Sequence, residues 1–361
     1  MYAPETPTRA ARTQRGVSII EVMVGMVVSL LVGLAATGSA LMFSASQRQG
    51  IGTGGSLINA STALTALRDD AAAAGLGFFG DRQFLCSKLN LSVGASLVRD
   101  GSDFSPLNIT AEVAGDRIDI VSATQVASGA NVLLNASSTG ASAALRSLLP
   151  VSVGQTVLLA PVSPGDPCLV RTVTGVTAST IDTPQSLEFA ASAATGFSLA
   201  HNLGVFTTNP TYPDKGRVAL LGSLNWTSYR LEGTDLRLER PLGGAPVVLV
   251  RNVVAFKAEY GRAAAAAGST TLETWESSAS VPNMTAVELP RVRALRVGVV
   301  TRSPQAEKPN PATGVCEATP TMPTLFEVPV TSDVTDWKCY RYRTAIVVVP
   351  LRNLVMGMTP P

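Results

Sequence analysis

The chain has little charge, few aromatics and almost no histidine. Only 15% of its 361 residues are Asp, Glu, Lys or Arg, 5% are Phe, Trp or Tyr, and His201 is the sole histidine. A balance of 28 bases against 26 acids argues against a strongly basic surface, so nucleic acid is not indicated as a partner. His201 stands between Ala200 and Asn202 with no nucleophile elbow, so no hydrolase signature forms around it. The glycines within residues 50–55 neither follow an expected strand nor open a βαβ unit, and no Lys-Ser/Thr pair closes them into a phosphate loop. Carboxylates are scattered rather than paired. The reading is therefore of a chain with no catalytic residue, no metal and no cofactor, and an enzyme is not expected.

What the chain does have is a long apolar run. From Val22 to Phe43, 22 residues pass without a formal charge. As a helix they cover about 33 Å, against roughly 30 Å of bilayer hydrocarbon. Arg9, Arg12 and Arg15 precede the run and only Arg48 follows closely, so the positive-inside rule places the N-terminus in the cytoplasm and the bulk outside. Glu21 sits at the head of the span. An acid there costs up to roughly 3 kcal/mol if carried to the bilayer centre, so it signals a partner. A cut after Gly16 would leave a new ammonium at Val17, four residues from Glu21 and on the same helix face. Between subunits, Glu21 could then pair with the amine of a neighbour and set the register. Gly25, Ser29 and Gly33, small residues at steps of four, form a candidate stripe for helix association, with lipid contact as the alternative. An ordinary secretory signal is the competing segmentation, with cleavage after Gly38-Ser39-Ala40, but it leaves Glu21 unexplained.

The stretch Arg15-Gly16-Val17-Ser18-Ile19-Ile20-Glu21 resembles the type III signal of type IV pilins and type II secretion pseudopilins. Val17 replaces the commoner Phe and Ser18 the commoner Thr. The resemblance implies that a prepilin peptidase cuts between Gly16 and Val17 and methylates Val17, and that Glu21 serves subunit docking. It also implies a type IV pilin-like α+β fold, in which a long N-terminal helix with a membrane half and an amphipathic half packs on an antiparallel β-sheet. Loss of residues 1–16 would leave 25 bases and 25 acids.

Domain organisation follows: a leader at 1–16, the membrane and assembly half of the helix at 17–49, a glycine-rich break at 50–56, and an enlarged β-rich region at 57–361, as one lobe or two. Leu57, Ala60, Leu64, Leu67, Ala71 and Ala74 recur at helical steps and predict a face packed on a sheet, ended by Gly75, Gly77 and Gly80. From Asp116 the pattern predicts strands: 116–121, 226–231 and 235–240 alternate polar and apolar, and 156–160 and 246–250 are short apolar runs. Residues 122–147, 190–196, 262–271 and 303–323 read as loops, the last fastened through Cys316. No internal repeat is evident. Four cysteines, Cys86, Cys168, Cys316 and Cys339, suit an oxidising compartment. They allow three pairings. Cys86 with Cys168 and Cys316 with Cys339 is preferred for its shorter loops, and zinc is disfavoured because no ligands lie at close spacing.

The C-terminal third carries a second resemblance. Val253-Val254-Ala255-Phe256-Lys257-Ala258-Glu259-Tyr260-Gly261, residues 292–303, Tyr340-Arg341-Tyr342-Arg343 and Val349-Pro350-Leu351-Arg352-Asn353 resemble the PilW group of minor pilins. Residues 294–302 and 340–350 are expected as strands of one sheet, with Arg341 and Arg343 on a solvated face. The resemblance implies a minor pilin, processed in the inner membrane with its bulk periplasmic. Such a subunit is then carried to the cell-surface pilus, where it helps prime assembly and sits in the tip complex. Its implied partners are other minor pilins, the pilus tip protein, the major pilin, the prepilin peptidase and the inner-membrane assembly platform. A type II secretion pseudopilin and a secreted or anchored binding protein are the alternatives.

Overall fold

The computed structural model describes residues 16, 18–80, 83–94, 96–124, 130–138, 140–163, 165–189, 206–208, 211–264, 269, 271–281, 284, 288–310 and 312–356. The leader positions 1–15, Val17, His201 and the expected loop 190–196 lie outside the described residues. Two compact units divide between Gly52 and Thr53.

Helix α1 runs unbroken over Ile19–Ala73. The break expected at 50–56 is not in the backbone. Each glycine costs about 1 kcal/mol against Ala, but extending an existing helix requires no new nucleus, and residues on both sides are already helical. In the first unit, the 22 residues Ile19–Ala40 are wholly unburied.

In the second unit the later turns of α1 bury one stripe. Ala60, Ala63, Leu64, Leu67, Ala71 and Ala74 are inside, while Arg68 and Asp69 face out. A buried leucine such as Leu67 contributes roughly 1.5–3 kcal/mol, and the alanines between let the helix lie close to its neighbours. Just after α1, Gly75 adopts φ +78°, and a Cβ there would come within 2.7 Å of Leu354 Cδ2, so both conformation and space demand glycine.

The strands, in chain order, are β1 Phe79–Gly80, β2 Gln83–Phe84, β3 Lys88–Val93, β4 Ser96–Asp103, β5 Leu107–Ala111, β6 Asp116–Ala123, β7 Asn131–Leu133 and β8 Ser142–Ala144. There follow β9 Thr156–Ala160, β10 Cys168–Thr177, β11 Ser186–Phe189, β12 Arg217–Gly222, β13 Leu224–Glu232, β14 Asp235–Glu239 and β15 Val247–Val250. The last are β16 Val253–Ala263, β17 Leu272–Ser277, β18 Val292–Arg302, β19 Thr324–Leu325, β20 Val328–Pro329 and β21 Tyr342–Pro350, after which a short helix α2 spans Arg352–Met356.

Three large sheets result. One has the order β15-β14-β13-β6-β5, a second β17-β16-β18-β21, and an eight-stranded sheet runs β4-β3-β10-β9-β12-β7 with β11 and β8 attached through β10. Pairing is antiparallel except between β3 and β10. The stripe of α1 shares one core with the five- and four-stranded sheets, through residues such as Ile118, Tyr229, Phe256, Leu295 and Leu354. Two further cores lie on the eight-stranded sheet.

The strands expected at 116–121, 156–160, 226–231, 235–240 and 246–250 are present, and β18 pairs with β21 across nine residue pairs in one sheet. The loop expectations at 122–147 and 262–271 need correction. The first holds the end of β6 and the short strands β7 and β8, and the second begins inside β16. Their Ser- and Ala-rich sequence pairs because the backbone supplies the bonds and buried Ala143 needs no bulk. Residues 303–323 are irregular where described, as expected.

Candidate functional site

The first unit presents one ionisable side chain in its span. Glu21 lies in the first turn of α1, exposed, with no hydrogen-bond or ion-pair partner among the described residues. Other polar side chains of the span satisfy themselves on the helix. Ser29 Oγ donates to Met26 O at 2.9 Å, Thr37 Oγ1 to Gly33 O at 2.9 Å, and Ser39 Oγ to Ala35 O at 2.9 Å. Such back-bonding lets hydroxyls sit in an apolar segment without an outside partner. Glu21, Gly25, Ser29 and Gly33 fall at steps of four and share one stripe, and a Cβ added at Gly25, Gly33 or Gly38 would meet open space. That stripe is bare of bulk, with an acid at its head. The cleavage position divides: Gly16 is described and exposed, Val17 is not described.

In the second unit several ionic groups are tied into the fold. Asp116, 3% exposed at the start of β6, accepts from Ala258 N at 2.8 Å, Lys257 Nζ at 3.3 Å and Ser278 Oγ at 3.4 Å, which fastens the five-stranded sheet to the four-stranded one. Tyr229 Oη donates to Asp70 Oδ2 at 2.7 Å, so α1 is pinned to β13. Burial and then the Asp70 carboxylate push the Tyr229 phenol upward. Burial likewise raises Tyr212, whose hydroxyl donates to Pro167 O at 3.0 Å, and Tyr260.

On the outer face of the four-stranded sheet, Glu259 pairs with Arg296 directly across from it. The Arg296 guanidinium lies 4.7 Å from the Trp275 ring centroid and 4.4 Å from that of Phe326. The hairpin of β19 and β20 covers Gly298, where a Cβ would fall 2.4 Å from Leu325 Cδ1. Phe326 and Glu327 at its tip both have positive φ, 52° and 68°, which suits the two-residue hairpin twist although neither is glycine. Beside this hairpin is a cleft of about 460 Å³ bounded by the turn before β6, the outer face of β16 and β19–β20. Its charged groups, Asp116, Lys257 and Glu259, are already engaged with protein partners. No group of three metal-ligating side chains occurs among the described residues.

Arg341 and Arg343 separate. Arg341 pairs with Glu307, and that hydrogen bond raises its guanidinium further, so it fastens the 303–323 loop rather than only solvating a strand. Arg343 is exposed, without a side-chain partner among the described residues, as expected. Both disulfides join as preferred from the sequence. Cys86–Cys168 sits just before β3 and at the start of its parallel partner β10, with 5.7 Å between Cα atoms, and Cys316–Cys339 closes the irregular loop, with 4.8 Å. Arg293, expected like Arg341 to do no more than solvate a strand, is also tied in. It donates to Ser269 O and Pro290 O, both at 2.6 Å, and holds the turn after β16 against the start of β18.

The described residues combine a membrane-length apolar helix with a disulfide-bonded, antiparallel-rich β region. Residues 231–353, from the end of β13 into α2, match the family model of PilW, the type IV pilus-assembly protein W. Among solved structures the chain is similar to a type IV-like pilin from Thermus thermophilus, with 12% identity, a TM-score of 0.33, and coverage of 82% of this chain and 97% of that one. No curated protein matches the chain.

Proposed function

We propose that the protein is a minor pilin of the type IV pilus, held in the inner membrane by α1 until assembly. In this reading it acts with other minor pilins in priming the pilus and remains in the tip complex. The observation that carries the reading is the PilW match over 231–353, which covers the four-stranded sheet of the same chain that presents an unburied 22-residue apolar helix. Processing between Gly16 and Val17, methylation of Val17, and docking through Glu21 belong to the same reading. So does a periplasmic location for the β-rich unit before export to the cell surface. The role is structural: charged groups of the second unit such as Asp116, Glu259 and Arg341 are engaged in holding elements together.

Glu21 supplies the test. In the pilin reading Glu21→Val leaves membrane insertion intact and removes or sharply reduces piliation and twitching. If the apolar run were only an export signal or anchor, the acid would be replaceable, and normal pili in the Glu21→Val strain would overturn the docking role. A type II secretion pseudopilin would share the helix and Glu21; the PilW match favours the pilus.

A further inference from the structure

The edge of the four-stranded sheet is open at β21. Two bonds bracket the register: Ser303 N donates to Arg341 O at 2.8 Å, and Leu351 N donates to Arg293 O at 2.9 Å. Between them the pairing runs from Arg302 opposite Tyr342 to Ala294 opposite Pro350 without a shift. In an antiparallel ladder alternate residues exchange bonds with the partner, so the odd-numbered residues of β21 bond β18 and the even-numbered ones direct their N–H and C=O outward. Thr344, Ile346 and Val348 are the outward set. β21 is the last strand of its sheet, and among the described residues no bond from outside the sheet reaches these backbone groups. Pro350 fits the same parity, because its missing N–H falls on the unpaired side.

This edge lacks the usual protections. Edge strands are generally short, bulged or charged, since an open row of amides is a template for another strand. At nine residues, β21 is the longest edge strand of the described sheets. The pairings of β4, β15 and β17, other edge strands, all carry register shifts, whereas that of β21 carries none. Its outer face is apolar: Ile346 is 52% and Val348 50% exposed, and Ile346 stands opposite Gly298, where Leu325 already covers the sheet.

We propose that β21 is a strand-addition site that receives an extended segment of a different polypeptide. That segment carries apolar residues at alternate positions beside Ile346 and Val348, and acids placed to meet Arg343 and Arg352. Charge selects the occupant. Both arginines are exposed and have no side-chain partner among the described residues. A twofold pairing of two copies about Ile346 would set Arg343 against Val349 and Arg352 against Tyr340, so neither cation would gain an anion. A foreign acidic and apolar strand satisfies the edge amides, the apolar row and the cations together. The inference rests on the sheet and is independent of the pilus reading.

The test places a photocrosslinking phenylalanine analogue at Thr344 or Val348 of the full chain in its native cells, with the crosslinked segment sequenced by mass spectrometry. The expected result is adducts to a single acidic and apolar segment of another polypeptide, displaced by four residues along that segment when the probe moves from 344 to 348. Ile346→Pro removes an outward N–H that bonds nothing within the fold, and it should abolish both adducts. Ile346→Lys and Arg343→Glu should weaken them at unchanged thermal stability. If Ile346→Pro misfolds, Ile346→Lys carries the test alone. Adducts to a second copy around 346, adducts to lipid, scattered adducts, no adduct, or adducts unaffected by Ile346→Lys would each overturn the proposal.

Discussion

Glu21 and Asp116 are both single acids set in apolar surroundings, and they are handled in opposite ways. Asp116 is 3% exposed and holds three donors from the neighbouring sheet, so its partners are supplied by its own chain. Glu21 is exposed at the head of an unburied helix, without a partner among the described residues, although the hydroxyls further along that span bond their own backbone. Folding of the second unit supplies Asp116 with its donors, although it leaves the β21 edge open. Under the proposed function, Glu21 is left for neighbouring helices to partner.

That contrast breaks most visibly if the two acids are exchanged in their consequences. Glu21→Val is expected to eliminate pili while leaving the thermal transition of the detergent-solubilised protein unchanged; a lowered transition would give Glu21 a role inside the fold. Within the second unit the largest stability loss should come from the disulfides. By loop entropy, Cys86→Ser with Cys168→Ser, which opens 82 residues of separation, should cost about 4.5 kcal/mol, and Cys316→Ser with Cys339→Ser, which opens 23, about 3.4 kcal/mol. Denaturant titration of each double variant measures the order. Asp116→Ala leaves the buried Ala258 amide without its acceptor and should cost roughly 3 kcal/mol in the same assay.

Smaller effects sharpen the picture of the outer face and of the buried phenols. Gly298→Ala must displace Leu325, and should cost about 1–2 kcal/mol while loosening the β19–β20 hairpin, read by faster amide exchange at 324–329. Tyr212, Tyr229 and Tyr260 are held as neutral phenols with raised pKa values, mainly by burial. Their contribution to stability is complete below the ordinary phenol pKa of about 10 and is lost as pH rises through and beyond it. The denaturation midpoint should therefore fall above about pH 10, with these three phenolates appearing only as the protein unfolds.

Legibility in the sequence follows the same division. The long apolar helix and many of the strands are readable because each is periodic or sharply bounded: β6, β13 and β14 alternate in sequence, and β18 and β21 are β-branched runs. Strands β3 and β4 were not anticipated. Asn90 and Ser92 are polar yet fully buried, Asn90 donating to Thr208 O and accepting from Gly101 N, both at 2.7 Å, so polarity along β3 does not report its inner face. β4 ends in Arg99-Asp100-Gly101-Ser102-Asp103, which carries no apolar signal at all. β5 did carry one, Leu107 and Ile109 alternating inward. β10 buries Arg171 in its centre, a residue that argues against a buried strand until the surrounding sheet is known. The open edge at β21 lay beyond sequence altogether, since it depends on which strand ends up last in the sheet.

The central claim, that the first unit is a processed pilin helix awaiting partners, is tested most directly by the N-terminal mass of the protein isolated from membranes. The account predicts a methylated chain beginning at Val17. A chain beginning near Leu41 would mean that the apolar run was removed as an export signal, and the pilin reading would be contradicted.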